Sequence, residues 1–484
     1  MALVQPRAVY VFAHLAGEFV PAGKLELVEQ GSELLASNFA YGQRYLDRAN
    51  ALEIDPVSLG LRQRDAVRGK RLVPANGLKF FGGIRDAAPD AWGRRVIEAR
   101  HQAPANSLPE STYLLEAGSE RVGALDVRMQ LADPARHSKG SIASLGYLLE
   151  AADRIENGLP IPDALADIFD SGSALGGTRP KVSVRDDRQV LWLAKFPSRH
   201  DALLDVPTIE HATLRLAAAA GLDTPELRLI QIQGRNVLLI RRFDRSWSVG
   251  EAPVELRHGM ISALTLLACD ELDSPHKSYM DIAGALHRHG AVAAIRRDSE
   301  ELYARMVFNI FVGNDDDHPR NHACVWRDDW QGWALSPLFD VMPRPMLATE
   351  RYQHLGVGPQ GRLATLDNAY AAKERFGLSA EAAASIIDRI WRAVRQWRPH
   401  FEHCGVPPTQ IETIAPAFRH FDDIATSELR KRLATKIVGA DEATALQGGR
   451  AKNALMKPLR SKAVEQTMLS SPLRILAVAD GGTA

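Results

Sequence analysis

An α+β fold is predicted by a contrast within the 484-residue sequence: short strand-like runs separated by turns up to about residue 255, and helical periodicity beyond it. The 45% hydrophobic content supplies ample material for buried cores. Residues 1–130 are read as a mixed, strand-rich N-terminal subdomain, and residues 131–255 as a small lobe that begins with a polar and helical connection. Residues 256–440 are read as a helical lobe, and residues 441–484, a weak mixture of Gly, Ala, Lys and Ser, as a weakly structured tail.

Each element has a local signature. Ala8 to Ala13 alternates as a strand, and the aromatic, glycine-containing segment Phe80 to Gly93 suits packing between the N-terminal subdomain and the rest of the chain. From about Ser171 the pattern is strand, strand, helix, strand. The loop Gly172 to Lys181 leads into Val182-Ser183-Val184, and a turn at Asp186-Asp187 leads into Val190 to Phe196. A helix spans Thr208 to Ala220 and is ended by Gly221. Val237 to Ile240 is an apolar strand followed by Arg242-Phe243-Asp244-Arg245, read as a charged strand end with a local Asp–Arg pair. Ala323 to Trp326 and Gly332 to Leu335 form a hairpin across the polar turn Arg327-Asp328-Asp329. Ser379 caps a helix whose Ile386, Ile387, Ile390, Trp391, Val394 and Trp397 make a buried stripe.

Charge and cysteine usage exclude several classes. Lys plus Arg equal Asp plus Glu at 59 each, so no global field favours nucleic acid or membranes. No zinc pattern, basic helix or stacked aromatic array signals base reading. The three cysteines, Cys269, Cys324 and Cys404, fit neither a disulfide framework nor a C-x-x-C site. With no leader-like N-terminus and no run of about 18 apolar residues, a cytoplasmic protein is expected.

Chemistry concentrates in Val312 to Asn321, which reads Val-Gly-Asn-Asp-Asp-Asp-His-Pro-Arg-Asn. Phosphoryl transfer needs a carboxylate to take the proton of an attacking hydroxyl and a nearby amide oxygen for magnesium. Asp316 and Asn321 stand at the D-x-x-x-x-N spacing of those two roles, and the hairpin would return Asp340 beside Asn321 as a second metal ligand. Three adjacent Asp residues also suit a solvated turn. Upstream, Gly176 and Gly177 allow close approach of backbone to phosphates, and Lys181 adds charge. Strand alternation puts Leu191, Leu193 and Lys195 on one face, where a lysine needs an anionic partner. Glu210 on the next helix is placed to pair with it. Snorkelling of Lys195 and solvation of Glu210 are the alternatives, but the occurrence of all these groups in kinase order outweighs them.

The chain resembles the HipA family, the kinase component of bacterial type II toxin–antitoxin systems, at five places. These are Leu175 to Lys181, Trp192 to Pro197, Arg242 to Arg245, Asn314-x-Asp316-x-His318-x-x-Asn321, and Ser336 to Val341. The resemblance implies a serine/threonine protein kinase of the phosphatidylinositol-kinase-like fold, with a strand-rich N-terminal subdomain, a small lobe and an all-helical C-lobe. It implies that Lys195 and Lys181 contact ATP and Glu210 orients Lys195. Asp316 is then the base, Asn321 and Asp340 hold Mg²⁺, and His318 supports the loop near the nucleotide. Implied partners are a dimeric helix-turn-helix antitoxin that binds operator DNA, and protein substrates that include aminoacyl-tRNA synthetases.

Two positions depart from the family. Its members autophosphorylate a serine seven residues before the loop lysine; here that position is Ala174, with Ser173 one step earlier and Ser171 three. The acidic hinge after the Arg-Phe-Asp-Arg strand is replaced by Arg257 to Ser262, so only backbone near Gly259 to Ile261 is expected to meet adenine. Three functions fit the sequence: a protein kinase toxin, a small-molecule phosphotransferase sharing D-x-x-x-x-N, and a non-catalytic partner of a DNA-binding protein. Retention of Lys195, Asp316, Asn321 and Asp340 favours the first.

Overall fold

Strand pairing organises the N-terminal half of the chain into two antiparallel four-stranded sheets, joined to the helical part through a third sheet of three strands. The computed structural model describes residues 6–173, 177–201, 204–249 and 253–433, so the expectations for Gly176 and for the 441–484 tail fall outside the described residues.

The first sheet comprises β1 (Arg7–Leu15), β2 (Glu18–Gln30), β3 (Glu33–Tyr41) and β4 (Leu125–Arg128), in the order β3-β2-β1-β4. Val9, Val11 and Ala13 of β1 face inward at period two and meet Leu25, Leu27 and Phe39, with Phe81 and Ile84 closing the core. The second sheet comprises β5 (Lys181–Arg185), β6 (Leu191–Lys195), β7 (Leu227–Ile232) and β8 (Arg235–Arg241), in the order β5-β6-β8-β7. Its connecting helix runs Val206–Ala219, two residues earlier than the sequence pattern suggests, because the Asp205 side chain caps it by accepting from Thr208 N. Gly221 follows at φ +77°, the left-handed stop that the sequence places there.

The helical part is not all-helical. After the hairpin of β9 (Arg245–Trp247) and β10 (Glu255–Arg257), β11 (Met260–Ser262) pairs with β12 (Ala323–Arg327), which pairs with β13 (Gly332–Leu335). The hairpin read from the sequence is present, and β11 extends it because Ile261 is apolar and buried in the common core. Around this sheet pack the helices Tyr279–His289, Ile295–Val312 and Ala380–Val394. Every residue from Leu302 to Val312 is buried, so the Ile295–Val312 helix is the axis of the lobe. It stops at Gly313, φ +66°, where an added Cβ would lie 2.3 Å from the Ala417 carbonyl oxygen. On the Ala380–Val394 helix, Ile387, Ile390 and Val394 are fully buried and Trp391 stacks on Phe311 at 5.5 Å. Among the described residues no helix is long and apolar enough to cross a membrane.

The N-terminal region is built into the second sheet by polar groups as well as by packing. Trp92 and Val96 of the Ala91–His101 helix enter the core made by β5, β6 and the Leu145–Glu156 helix. The Arg-Phe-Asp-Arg segment, read as a local charge pair, is a clamp between regions. Asp244 accepts from Arg242 at 2.6 and 2.8 Å, from Arg245 at 2.9 Å and from Gly123 N at 2.7 Å. Arg242 and Arg245 donate in turn to the Arg121 carbonyl. Burial alone would raise the Asp244 carboxyl, but the two guanidinium groups hold it well below the usual carboxylate range.

Asp244→Ala leaves buried Arg242 without its counter-ion and Arg245 with only Glu255 at 3.7 Å, and is expected to destabilise the fold by about 3–5 kcal/mol, read from the denaturation midpoint. Because the folded-state pKa is depressed, the stabilisation is present above the unfolded carboxylate pKa of about 4 and is lost as pH falls below it. The gap between wild type and variant should therefore narrow in acid.

Candidate active site

The first and second strands of the small lobe bring two lysines together. Lys181 opens β5 and Lys195 ends β6, and the antiparallel register pairs them directly. Both are buried. Lys195 Nζ lies 2.5 Å from Glu210 Oε1 and 2.9 Å from Asp340 Oδ1, so a strand, the Val206–Ala219 helix and the segment after β13 meet at one ammonium. Burial opposes the charge of Lys195, but the Asp340 and Glu210 carboxylates override it and raise its pKa. Lys195, seconded by Lys181, holds Asp340 far down against burial. Among the described residues Lys181 has no comparable partner, and burial and the neighbouring Lys195 lower it to about 8. Asp340 adopts φ +59°, a left-handed backbone uncommon outside glycine and found where a site fixes it.

The aspartate-rich loop begins at Gly313, and its three aspartates have three different environments. The Asp315 side chain is 25% exposed, that of Asp316 is 61% exposed and that of Asp317 is 1% exposed. The run is therefore not a solvated acidic turn. The Asp316 carbonyl accepts from His318 N at 2.9 Å and from Asn321 Nδ2 at 3.1 Å, which leaves the Asn321 side-chain oxygen available. Arg344 reaches both Asp315 (3.2 Å) and Asp316 (3.5 Å) from the segment beyond Asp340.

These groups surround a cleft of about 340 Å³. Of the residues named from the sequence, Gly177, Lys181, Lys195, Ile261, Asp316, His318, Asn321 and Asp340 line it. Glu210 does not; it is buried behind Lys195. Gly259 is also elsewhere. Its carbonyl accepts from Trp326 N at 2.8 Å, and an added Cβ would lie 3.0 Å from Trp333 and 3.1 Å from Leu52, so Met260 and Ile261 are the part of that segment facing the cleft. Leu193, Ile240, Ile261 and Phe339 supply its apolar lining. Ser171 and Ser173 are both buried, Ser173 donating to the Ala117 carbonyl.

Sequence reasoning missed the contribution of the N-terminal region. Asp90 caps the Ala91–His101 helix and also accepts from Gly177 N at 3.1 Å, while Trp92 N donates to Gly177 O at 2.8 Å and Trp92 Nε1 to Lys181 O at 2.7 Å. Gly177 and Lys181 are thus held from outside the second sheet. An N-cap signal at Asp90 was readable; its second, long-range bond was not.

The donor set suits a polyanion with a hard cation. Lys181 and Lys195 present buried positive charge, and Asp340 and Asn321 present the one carboxylate and one neutral oxygen with which Mg²⁺ is commonly bound alongside phosphates. Among the described residues no group of three His, Cys, Asp or Glu side chains could hold a metal unaided.

A lysine with a lowered pKa reacts as the free amine. Labelling with an amine-directed ester followed by mass spectrometry is expected to modify Lys181 with a midpoint near pH 8, while Lys195 stays protected in its double ion pair. Equal reactivity of the two would contradict this electrostatic arrangement.

Residues 173–398 match the family model described as HipA-like C-terminal domain. A Sinorhizobium fredii protein named "Putative kinase Y4mE" is 27% identical over 319 residues, 63% of this chain and 71% of that one. Another from the same organism, "Putative kinase Y4dM", is 25% identical over 227 residues, 44% of this chain and about half (51%) of its own length. Among solved structures, a chain from the Shewanella oneidensis toxin–antitoxin complex of HipA, HipB and operator DNA superposes with a TM-score of 0.57. That match covers 88% of this chain and 94% of the other at 13% identity, a likeness of fold. Residues 173–398 are thus similar to the HipA-like C-terminal domain, the resemblance that the five motifs led one to expect.

Proposed function

We propose that the protein is an ATP-dependent serine/threonine protein kinase of the phosphatidylinositol-kinase-like type, acting in the cytoplasm as the toxin of a toxin–antitoxin pair. The observation that carries this reading is the convergence of Lys195, Asp340, Asp316 and Asn321 on one cleft, with Glu210 buried behind Lys195, a set of groups of the kinds phosphoryl transfer uses. The names of the Sinorhizobium relatives support a kinase, and the HipA–HipB–DNA complex supports a helix-turn-helix partner through which DNA is met indirectly.

In this reading Lys195, fixed by Glu210, and Lys181 hold the phosphates of ATP. Asn321 and Asp340 would hold a magnesium ion, which would supply positive charge against the phosphates. The Asp316 carboxylate accepts the proton of the incoming protein hydroxyl as its oxygen bonds to the γ-phosphorus and ADP leaves. Arg344 must release Asp316 for that step. In the same reading Gly177 meets the phosphates, the backbone at Ile261 meets adenine and His318 supports the loop near the nucleotide; all three residues line the cleft. The acceptor is a protein hydroxyl, an aminoacyl-tRNA synthetase among the candidates.

Labelled phosphate from MgATP should appear on the protein or on a discrete protein of a cell extract. Asp316→Ala should reduce this transfer by about 10²–10⁴-fold with little change in ATP affinity. Label on small alcohols instead would favour a small-molecule phosphotransferase, and no transfer and no ATP binding a non-catalytic binding partner. Lys195→Met, which removes the shared ammonium, is expected to abolish transfer and weaken nucleotide binding by roughly tenfold or more, measured by calorimetry.

A further inference from the structure

We propose that Asp317, the neighbour of the base, is a positioning residue whose buried carboxylate fixes the loop that presents Asp316; the proposal rests on the reading of Asp316 as base. Three donors converge on a single oxygen, Asp317 Oδ2: Tyr279 OH at 2.5 Å, Asn309 Nδ2 at 2.7 Å and His322 Nε2 at 2.8 Å. They come from three separate pieces of the lobe. Tyr279 opens the Tyr279–His289 helix, Asn309 lies in the last turn of the Ile295–Val312 helix, and His322 leads into β12. All four residues are buried, Asp317 at 1%.

The same groups hold both ends of the loop. Asn309 Oδ1 accepts from Asn314 Nδ2 at 3.1 Å, where the loop leaves the helix, and His322 O accepts from Ala263 N at 2.6 Å, where it joins the sheet. Asp317 therefore ties the start and end of Asn314–His322 at a point one residue from Asp316. Adjacent side chains of an irregular segment cannot share one small buried site, so seating Asp317 in the core turns Asp316 toward the cleft. Charge matters as well as shape, since hydrogen bonds to an ionised acceptor are about twice as strong as neutral ones. Every donor here would face a weaker acceptor in Asp317→Asn, whose amide also adds a donor where three already meet.

The test uses the full chain with Asp317→Asn and Tyr279→Phe, and reads two quantities. One is phosphoryl transfer from MgATP, resolved into kcat and the KM for ATP. The other is backbone hydrogen exchange of the 314–322 peptide against that of the Ile295–Val312 helix. For Asp317→Asn, kcat is expected to fall roughly 10- to 100-fold, the scale of a misplaced reacting group, with KM for ATP held within about twofold. Exchange should quicken in 314–322 and stay unchanged in the helix. Tyr279→Phe removes one donor and should give a smaller loss of the same kind, which carries the test if Asp317→Asn does not fold. Unchanged kcat and unchanged loop exchange overturn the proposal, as does exchange that rises equally in the helix and the loop. A wild-type protein that transfers no phosphate would refute the kinase reading instead, and the exchange arm would still decide whether Asp317 holds the loop.

Discussion

One ammonium group, that of Lys195, ties together parts of the chain that are far apart in sequence. It ends β6, meets Glu210 fifteen positions later and meets Asp340 after a further 130 residues. A buried lysine is tolerable only with anionic partners, and here both partners are themselves fixed, Glu210 by the helix and Asp340 by its left-handed backbone. The cleft depends on this arrangement, because the same contacts bring the strand lobe against the helical lobe and aim Asp340 at the space that Asp316 and Asn321 face.

A second set of constraints comes from the N-terminal region. Asp90 and Trp92 grip the backbone of Gly177 on both its N–H and its carbonyl, and Asp244 gathers Arg242, Arg245 and Gly123 into a buried polar junction. Gly177 is thus positioned by residues that precede it by almost ninety positions. Loops carry function when a scaffold fixes them, and part of the scaffold here is the strand-rich region rather than the lobe itself.

The Asp315-Asp316-Asp317 run shows how far identical residues can diverge. In sequence the three are equivalent, and only spacing to His318 and Asn321 separates them. In the fold one faces the cleft, one lies half-buried beside Arg344, and one takes three hydrogen bonds in the core. Local composition suggests solvation for all three, whereas a core that already contains Asn309, Tyr279 and His322 as donors selects the last for burial.

By itself the sequence determined the α+β class, the hairpin at 323–335 and the helix ended by Gly221, and it singled out Lys181, Lys195, Glu210, Asp316, Asn321 and Asp340, which the fold gathers at or directly behind one cleft. These were legible because they rest on short-range physics: side-chain period, turn chemistry and fixed spacing within one loop. The roles of Asp90, Trp92, Asp244 and Asp317, the burial of Gly259 away from the cleft and the extra strand β11 were decided only by the tertiary structure. Each depends on a hydrogen bond or packing contact between residues tens to more than a hundred positions apart, and a side chain's local pattern is the same whether or not that distant partner exists.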